Sequence, residues 1–117
     1  MRIARIKDSY IFDKTSNGSH LYAVYYDRAN RCYRAVGLTH LYVPDSNRFN
    51  QVKRGLLMKT KLPNFETPSG VDNKFYSRNI NGGNIDLKSK DILSISKRHL
   101  PAKQAKSIIG FAKKKAR

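Results

Sequence analysis

The sequence predicts a mainly β, α+β chain: a small antiparallel β-barrel or strongly bent sheet, with a short helix near 46–54 and a C-terminal helix near 101–115. Three observations carry this. Apolar and aromatic residues recur in short runs separated by Asn, Gly, Asp and Ser clusters, the pattern of strands joined by turns. The apolar period changes from two to 3.6 only after Pro101. At 117 residues, 39% hydrophobic, with seven Tyr and five Phe, the chain can bury one modest core. A single domain over 1–117 is expected, with a β-rich barrel over 1–100 and a basic helix over 101–117.

Met1 to Phe12 sets Ile3, Ala4, Ile6, Tyr10, Ile11 and Phe12 among Arg2, Arg5, Lys7 and Asp8, and reads as one or two strands. Thr15 to Ser19 is a turn cluster in which Asn17-Gly18 suits positive φ. Leu21 to Tyr26 (LYAVYY) mixes aromatic and β-branched residues, Asp27 to Asn30 turns the chain, and Arg31 to Leu38 returns, predicting a hairpin. Asp45 or Ser46 offers an N-cap oxygen for a two-turn helix that includes Phe49 and Val52 and stops at Gly55. Leu56-Leu57-Met58 resumes an apolar run. Leu62 to Val71 reads as a structured loop, Phe75-Tyr76 as a brief strand, and Asn81 to Asn84 as a turn. Ile85 to Ile95 then predicts another hairpin.

The end of the chain differs in kind. Pro101 fits the first position of a helix, and Ala102, Ala105, Ile108, Ile109 and Ala112 recur at the spacing of one helical face. Lys113-Lys114-Lys115 falls where the helix dipole favours cations, by ~0.3 to 1 kcal/mol each at low salt. Gly110 weakens the helix by roughly 1 kcal/mol relative to Ala, so docking on the β portion must supply much of its stability.

Charge narrows the function. The chain holds 24 Lys or Arg against eight Asp or Glu, a net +16, and residues 92–117 contribute eight of those cations and no acidic residue. Such self-repulsion is tolerated where a polyanion is the partner, which makes RNA or DNA the first expectation. No stretch approaches 18 consecutive apolar residues and no secretory leader is legible, so no membrane role and a cytoplasmic location are expected. The single Cys32 excludes an internal disulfide and a paired-cysteine zinc site, and reads as a small core residue.

Glycine-rich phosphate loops, HExxH and GxSxG are all missing. The eight acidic residues are scattered, which disfavours a two-magnesium nuclease, and neither metal nor cofactor is expected. What remains is His20, His40, His99, Thr39 and many cations. These residue types suffice for metal-independent RNA cleavage, in which a base takes the 2′-hydroxyl proton, an acid protonates the departing 5′-oxygen and a cation stabilises the phosphorane. If LYAVYY and RCYRAVGL pair, His20 and Thr39-His40 share one end of the hairpin, ~5 to 10 Å apart. The candidate catalytic residues at that hairpin end are therefore His20, Thr39 and His40. The candidate nucleic-acid-binding set is Lys14, Arg31, Lys97, Arg98, Lys103, Lys106, Lys113, Lys114 and Lys115, with interleaved tyrosines offering faces for bases.

The first 45 residues or so resemble the MazF/PemK-type toxins, small β-barrel ribonucleases with a terminal helix. The resemblance rests on the basic first strand, the polar loop Lys14 to His20, LYAVYY in place of the family's "RPALVL"-like strand, and RAVGLTH (Arg34 to His40) in place of the strand ending in its "LTS"-like triplet. It implies that Thr39 helps hold a scissile phosphate. Gly18-Ser19-His20-Leu21 stands where the family has Gly-x-Arg-Pro, so His20, Lys14 or Arg34 would take the role of the catalytic Arg. It also implies a protein or RNA antitoxin and a homodimer as partners. Two other readings stay open beside an RNA-cleaving or RNA-binding toxin. One is a non-enzymatic RNA- or DNA-binding small-barrel module; the other is a phage or plasmid protein that inhibits a host nucleoprotein machine.

Overall fold

The computed structural model describes residues 1–12, 17–40, 47–61, 74–81 and 84–115, with the backbone alone at 12, 40, 60–61, 74–81 and 114–115. In chain order the elements are β1 (Arg2–Lys7), α1 (Asp8–Phe12), β2 (Ser19–Asp27), β3 (Cys32–His40), α2 (Arg48–Lys53), β4 (Leu57–Lys61), β5 (Lys74–Asn81), β6 (Ile92–Ile95) and α3 (Ala102–Lys115). The strands form one six-stranded sheet in the order β4-β5-β3-β2-β1-β6, antiparallel at every pairing.

The expected hairpin is its centre. β2 and β3 pair in constant register from Tyr22↔Gly37 to Asp27↔Cys32. Asp27 organises the turn: its Oδ1 accepts from the Ala29 and Asn30 amides at 3.1 and 3.3 Å, and its Oδ2 accepts from Asn30 Nδ2 and Arg34 Nε, both at 2.8 Å. Arg31 closes the turn with φ 51°, a left-handed conformation that costs a residue with a Cβ roughly 1 kcal/mol.

Leu21 to Tyr25 are buried without interruption, so β2 is covered on both faces rather than alternating between core and solvent. On one face Ile3, Leu21, Ala23, Tyr25, Val36 and Leu38 pack under Leu100, Ile108 and Ala112, which belong to α3 and its approach. On the other, Ala4, Ile6, Tyr22, Val24 and Ala35 pack against Ile85, with Tyr10 and Ile11 of α1 and Leu87 alongside. Each fully buried Ile or Val in these layers contributes about 1.5 to 3 kcal/mol.

This two-sided burial is why the sheet is not closed into a barrel. A barrel gives its strands a single interior, whereas here both faces of β1 to β3 are apolar and each has its own cover. The open alternative among the two expected architectures is the one found.

Three local expectations change. Of the one or two strands expected in the first stretch one is found, and a one-turn helix follows it where a second strand could have stood. The Asp8 amide donates to the Gly18 carbonyl at 2.9 Å, and Tyr10 Oη accepts from the Asp86 amide at 2.8 Å, so tertiary contacts hold a turn too short to be helical alone. Phe75-Tyr76 belongs to the eight-residue β5, which lies between β3 and β4. Ile85 to Ile95 forms no hairpin: Ile85 bridges Tyr33 singly, and β6 crosses to the far side of the sheet and pairs with β1.

The two longer helix expectations hold in place. α2 begins after Asn47, with Asp45 and Ser46 lying outside the described residues, and Gly55 at φ 73° follows its end. α3 begins directly after Pro101. Cys32 is half-buried at the start of β3. The Leu62 to Val71 loop and Gly82-Gly83 lie outside the described residues.

Candidate functional site

β2 opens with Ser19-His20 and β3 closes with Thr39-His40, and the antiparallel register brings both pairs to one end of the sheet. His20 also lies opposite Ile6 of β1, two residues before the point where the chain turns into α1. That turn delivers Asp8, a residue the sequence reading left out, to His20: Asp8 Oδ1 and His20 Nδ1 are 2.5 Å apart. The Asp8 side chain is 11% exposed and that of His20 is 52% exposed. A shielded carboxylate thus fixes one ring nitrogen while the rest of the imidazole faces solvent, the geometry by which a carboxylate orients a general acid or base.

Thr39 is buried, at 8% exposure, and pairs in register with Tyr76 of β5. His40 pairs with Phe75 in the backbone ladder, and its side chain lies outside the described residues.

Arg34 stands apart from this group. Five residues before Thr39 along β3, it sits ~17 Å away at the turn end of the hairpin. Its Nε donates to Asp27, an ion pair whose side chains are 23% and 5% exposed. Hydrogen bonds from Asn30 first and Arg34 second hold the Asp27 carboxyl at about 2, well below the usual carboxylate range, and the same bond raises Arg34. Arg34 is committed to the turn and not to the His20 end of the hairpin. On the other face, Arg5 Nη1 donates to Ser19 Oγ at 3.2 Å.

The basic candidates fall on the outside of the fold. Ile108 and Ala112 turn α3 inward, and Lys103, Lys106 and Lys113 are exposed. Lys97 and Arg98, in the approach to that helix, are exposed too, as is Arg31 on the hairpin turn. Lys114 and Lys115 belong to α3 by their backbone, and Lys14 lies outside the described residues.

The tyrosines divide. Tyr22 and Tyr25 are buried at 1% and 5%, whereas Tyr26 and Tyr33, opposite each other in the hairpin register, are exposed at 50% and 38%. Among the described residues no three His, Cys, Asp or Glu side chains group as a metal site, and no helix is long and apolar enough to cross a membrane. No family model matches the chain, and neither a curated protein nor a solved structure matches it.

Proposed function

We propose that this protein is a nucleic-acid-binding α+β module, of the RNA-directed kind found in toxin–antitoxin systems and mobile elements. The observation that carries the reading is the docking of α3. With Ile108 and Ala112 buried against the sheet, Lys103, Lys106 and Lys113 are held on one folded surface beside Lys97 and Arg98. A surface of that kind engages phosphates and sets affinity without choosing a sequence.

The test is a salt titration of binding to a defined RNA and a DNA of the same sequence. Five phosphate contacts give a log-log slope of about −3.5 to −4.5, and Lys→Gln at 103, 106 and 113 together flattens it by about 2 to 2.7. A slope near zero for the unaltered protein removes the nucleic-acid reading.

A second reading, metal-independent RNA cleavage, is favoured by the Asp8–His20 pair. In it His20 moves the proton and Asp8 positions the ring, and the phosphate contact comes from a cation other than Arg34, which Asp27 holds. Discrete cleavage of RNA in EDTA is then expected, falling about 10²- to 10⁴-fold in His20→Ala. Asp8→Asn falls as well, because the ring loses the carboxylate that orients it. RNA left intact by the unaltered protein, or cleaved equally by His20→Ala, removes this second reading while leaving the binding module in place.

A further inference from the structure

Tyr26 and Tyr33 are the two hairpin aromatics that the core does not take. Their ring centroids are 5.1 Å apart at an interplanar angle of 61°, an edge-to-face pair standing at half exposure on the sheet. Beside them lies a shallow cavity of about 210 Å³ whose wall includes Arg2, Leu87, Ile95 and His99 as well as both rings, with no acidic side chain in it. That volume is below the roughly 300 to 1,000 Å³ of sites that enclose a whole cofactor-sized ligand, and it suits a single planar group.

The surroundings are cationic on two sides. Arg2 is in the wall itself. The turn that follows Tyr26 carries exposed Arg28 and Arg31, and Arg31 keeps its side chain at φ 51°, where glycine is the unstrained choice. Strain retained by an exposed arginine is stability given up at that position, and it coincides here with the aromatic pair. Of the two neighbouring acids, Asp27 is neutralised by Arg34 and turned into the loop, and exposed Asp86, between Ile85 and Leu87, accepts from the Lys88 amide through its Oδ1.

We propose that Tyr26 and Tyr33 form a stacking site for an unpaired nucleobase, with Arg2 and Arg31 receiving the flanking phosphates, so that the protein prefers single strands to duplexes. This rests on the nucleic-acid reading above and sharpens its substrate class. In a duplex the faces of the bases are covered by their neighbours; in a single strand they are open to an aromatic ring, and the sheet offers two rings at one point.

The experiment measures binding of the full chain to a fluorescein-labelled 12-nucleotide RNA, the same sequence as DNA, the corresponding duplexes, and inorganic polyphosphate as a base-free polyanion. Tyr26→Ala and Tyr33→Ala each weaken single-strand binding by roughly 5- to 150-fold and leave duplex and polyphosphate binding within about twofold. Tyr26→Phe and Tyr33→Phe, which keep the aromatic face, retain single-strand affinity. The RNA and DNA arms show whether the 2′-hydroxyl adds to recognition. Because the alanine variants can lose fold, irradiation of the unaltered protein with a 5-iodouracil single strand provides a second readout, and the crosslink is expected at Tyr26 or Tyr33. Crosslinks confined to other segments, or alanine variants that weaken all ligands alike or none, overturn the stacking site. If the unaltered protein binds neither strands, duplexes nor polyphosphate, the nucleic-acid reading itself fails and the stacking site falls with it.

Discussion

Replacing Gly110 with alanine separates two things that α3 does. The residue lies inside a 14-residue helix, is exposed, and shares the outward side with Lys103, Lys106 and Lys113. A Cβ built at this position meets nothing within 4 Å, so the substitution encounters no steric opposition. What remains is the conformational freedom that glycine loses on folding, and Gly110→Ala is expected to stabilise the protein by about 0.5 to 1 kcal/mol. For a chain of this size that raises the midpoint of thermal unfolding by about 2 to 4 °C. Two positions away, Ile108 is fully buried, and Ile108→Ala is expected to cost about 2 to 5 kcal/mol through lost burial and the cavity left behind. Urea and thermal unfolding followed by circular dichroism measure both. Opposite signs of those sizes support a helix that is docked through one side and bare on the other. Destabilisation by Gly110→Ala beyond about 0.5 kcal/mol would refute the reasoning, since it would mean that backbone at Gly110 is closely approached. Unchanged nucleic-acid affinity in the same variant shows that phosphates are held by the lysine side chains; a loss there with stability gained would locate close approach of the strand at Gly110.

Three further expectations concern the hairpin and the strand-end pair. Arg31→Gly relieves the left-handed strain and raises stability by up to about 1 kcal/mol, while weakening nucleic-acid binding and flattening its salt slope by about 0.7 to 0.9; lower stability would show that the arginine side chain holds the turn. Asp27 has a folded pKa of about 2 against an ordinary 3.8, so the stability it confers is complete above the ordinary value and is lost as pH falls through the interval down to about 2. The stability gap between the unaltered protein and Asp27→Asn should accordingly be flat above about pH 5 and narrow between about 4 and 2, and a gap unchanged down to pH 2 contradicts this. Nuclear magnetic resonance of the His20 ring should place the proton on Nδ1, the atom beside Asp8, when the imidazole is neutral, and Asp8→Asn should alter that tautomer balance; an Nδ1 without its proton in the unaltered protein sinks the pairing.

The central hairpin was legible because its signals are local: LYAVYY, the Asp27 to Asn30 turn and the returning strand specify their own register. The same run also held the evidence against a barrel. Five successive buried residues from Leu21 to Tyr25 signal a sheet covered on both faces, yet a continuous apolar run can also be read as one strand of a small barrel with aromatics packed inside. α1 was illegible because Asp8 to Phe12 takes its helical turn from distant groups, the Gly18 carbonyl and the Asp86 amide. Missing that turn also hid Asp8 as the partner of His20. Arg34 was read into the site as a stand-in for the catalytic Arg that the resemblance implies, although an even and an odd position five apart on a strand, as Arg34 and Thr39 are, differ in both face and end. The route of β6 back to β1 depends on which edge of the sheet is free, and residues 85–95 do not encode that by themselves.

An open sheet has two margins, and among the described residues these are β4 and the four-residue β6, where Leu93 is half exposed. Strand margins invite copies of a chain to line up side by side, and a net charge of +16 keeps copies of this one apart. The polyanion that the charge attracts also cancels it. At low salt and near charge equivalence with a long nucleic acid, the colloidal protection is withdrawn while many copies are gathered on one thread, so turbidity should peak at that ratio and clear again with excess nucleic acid or added salt.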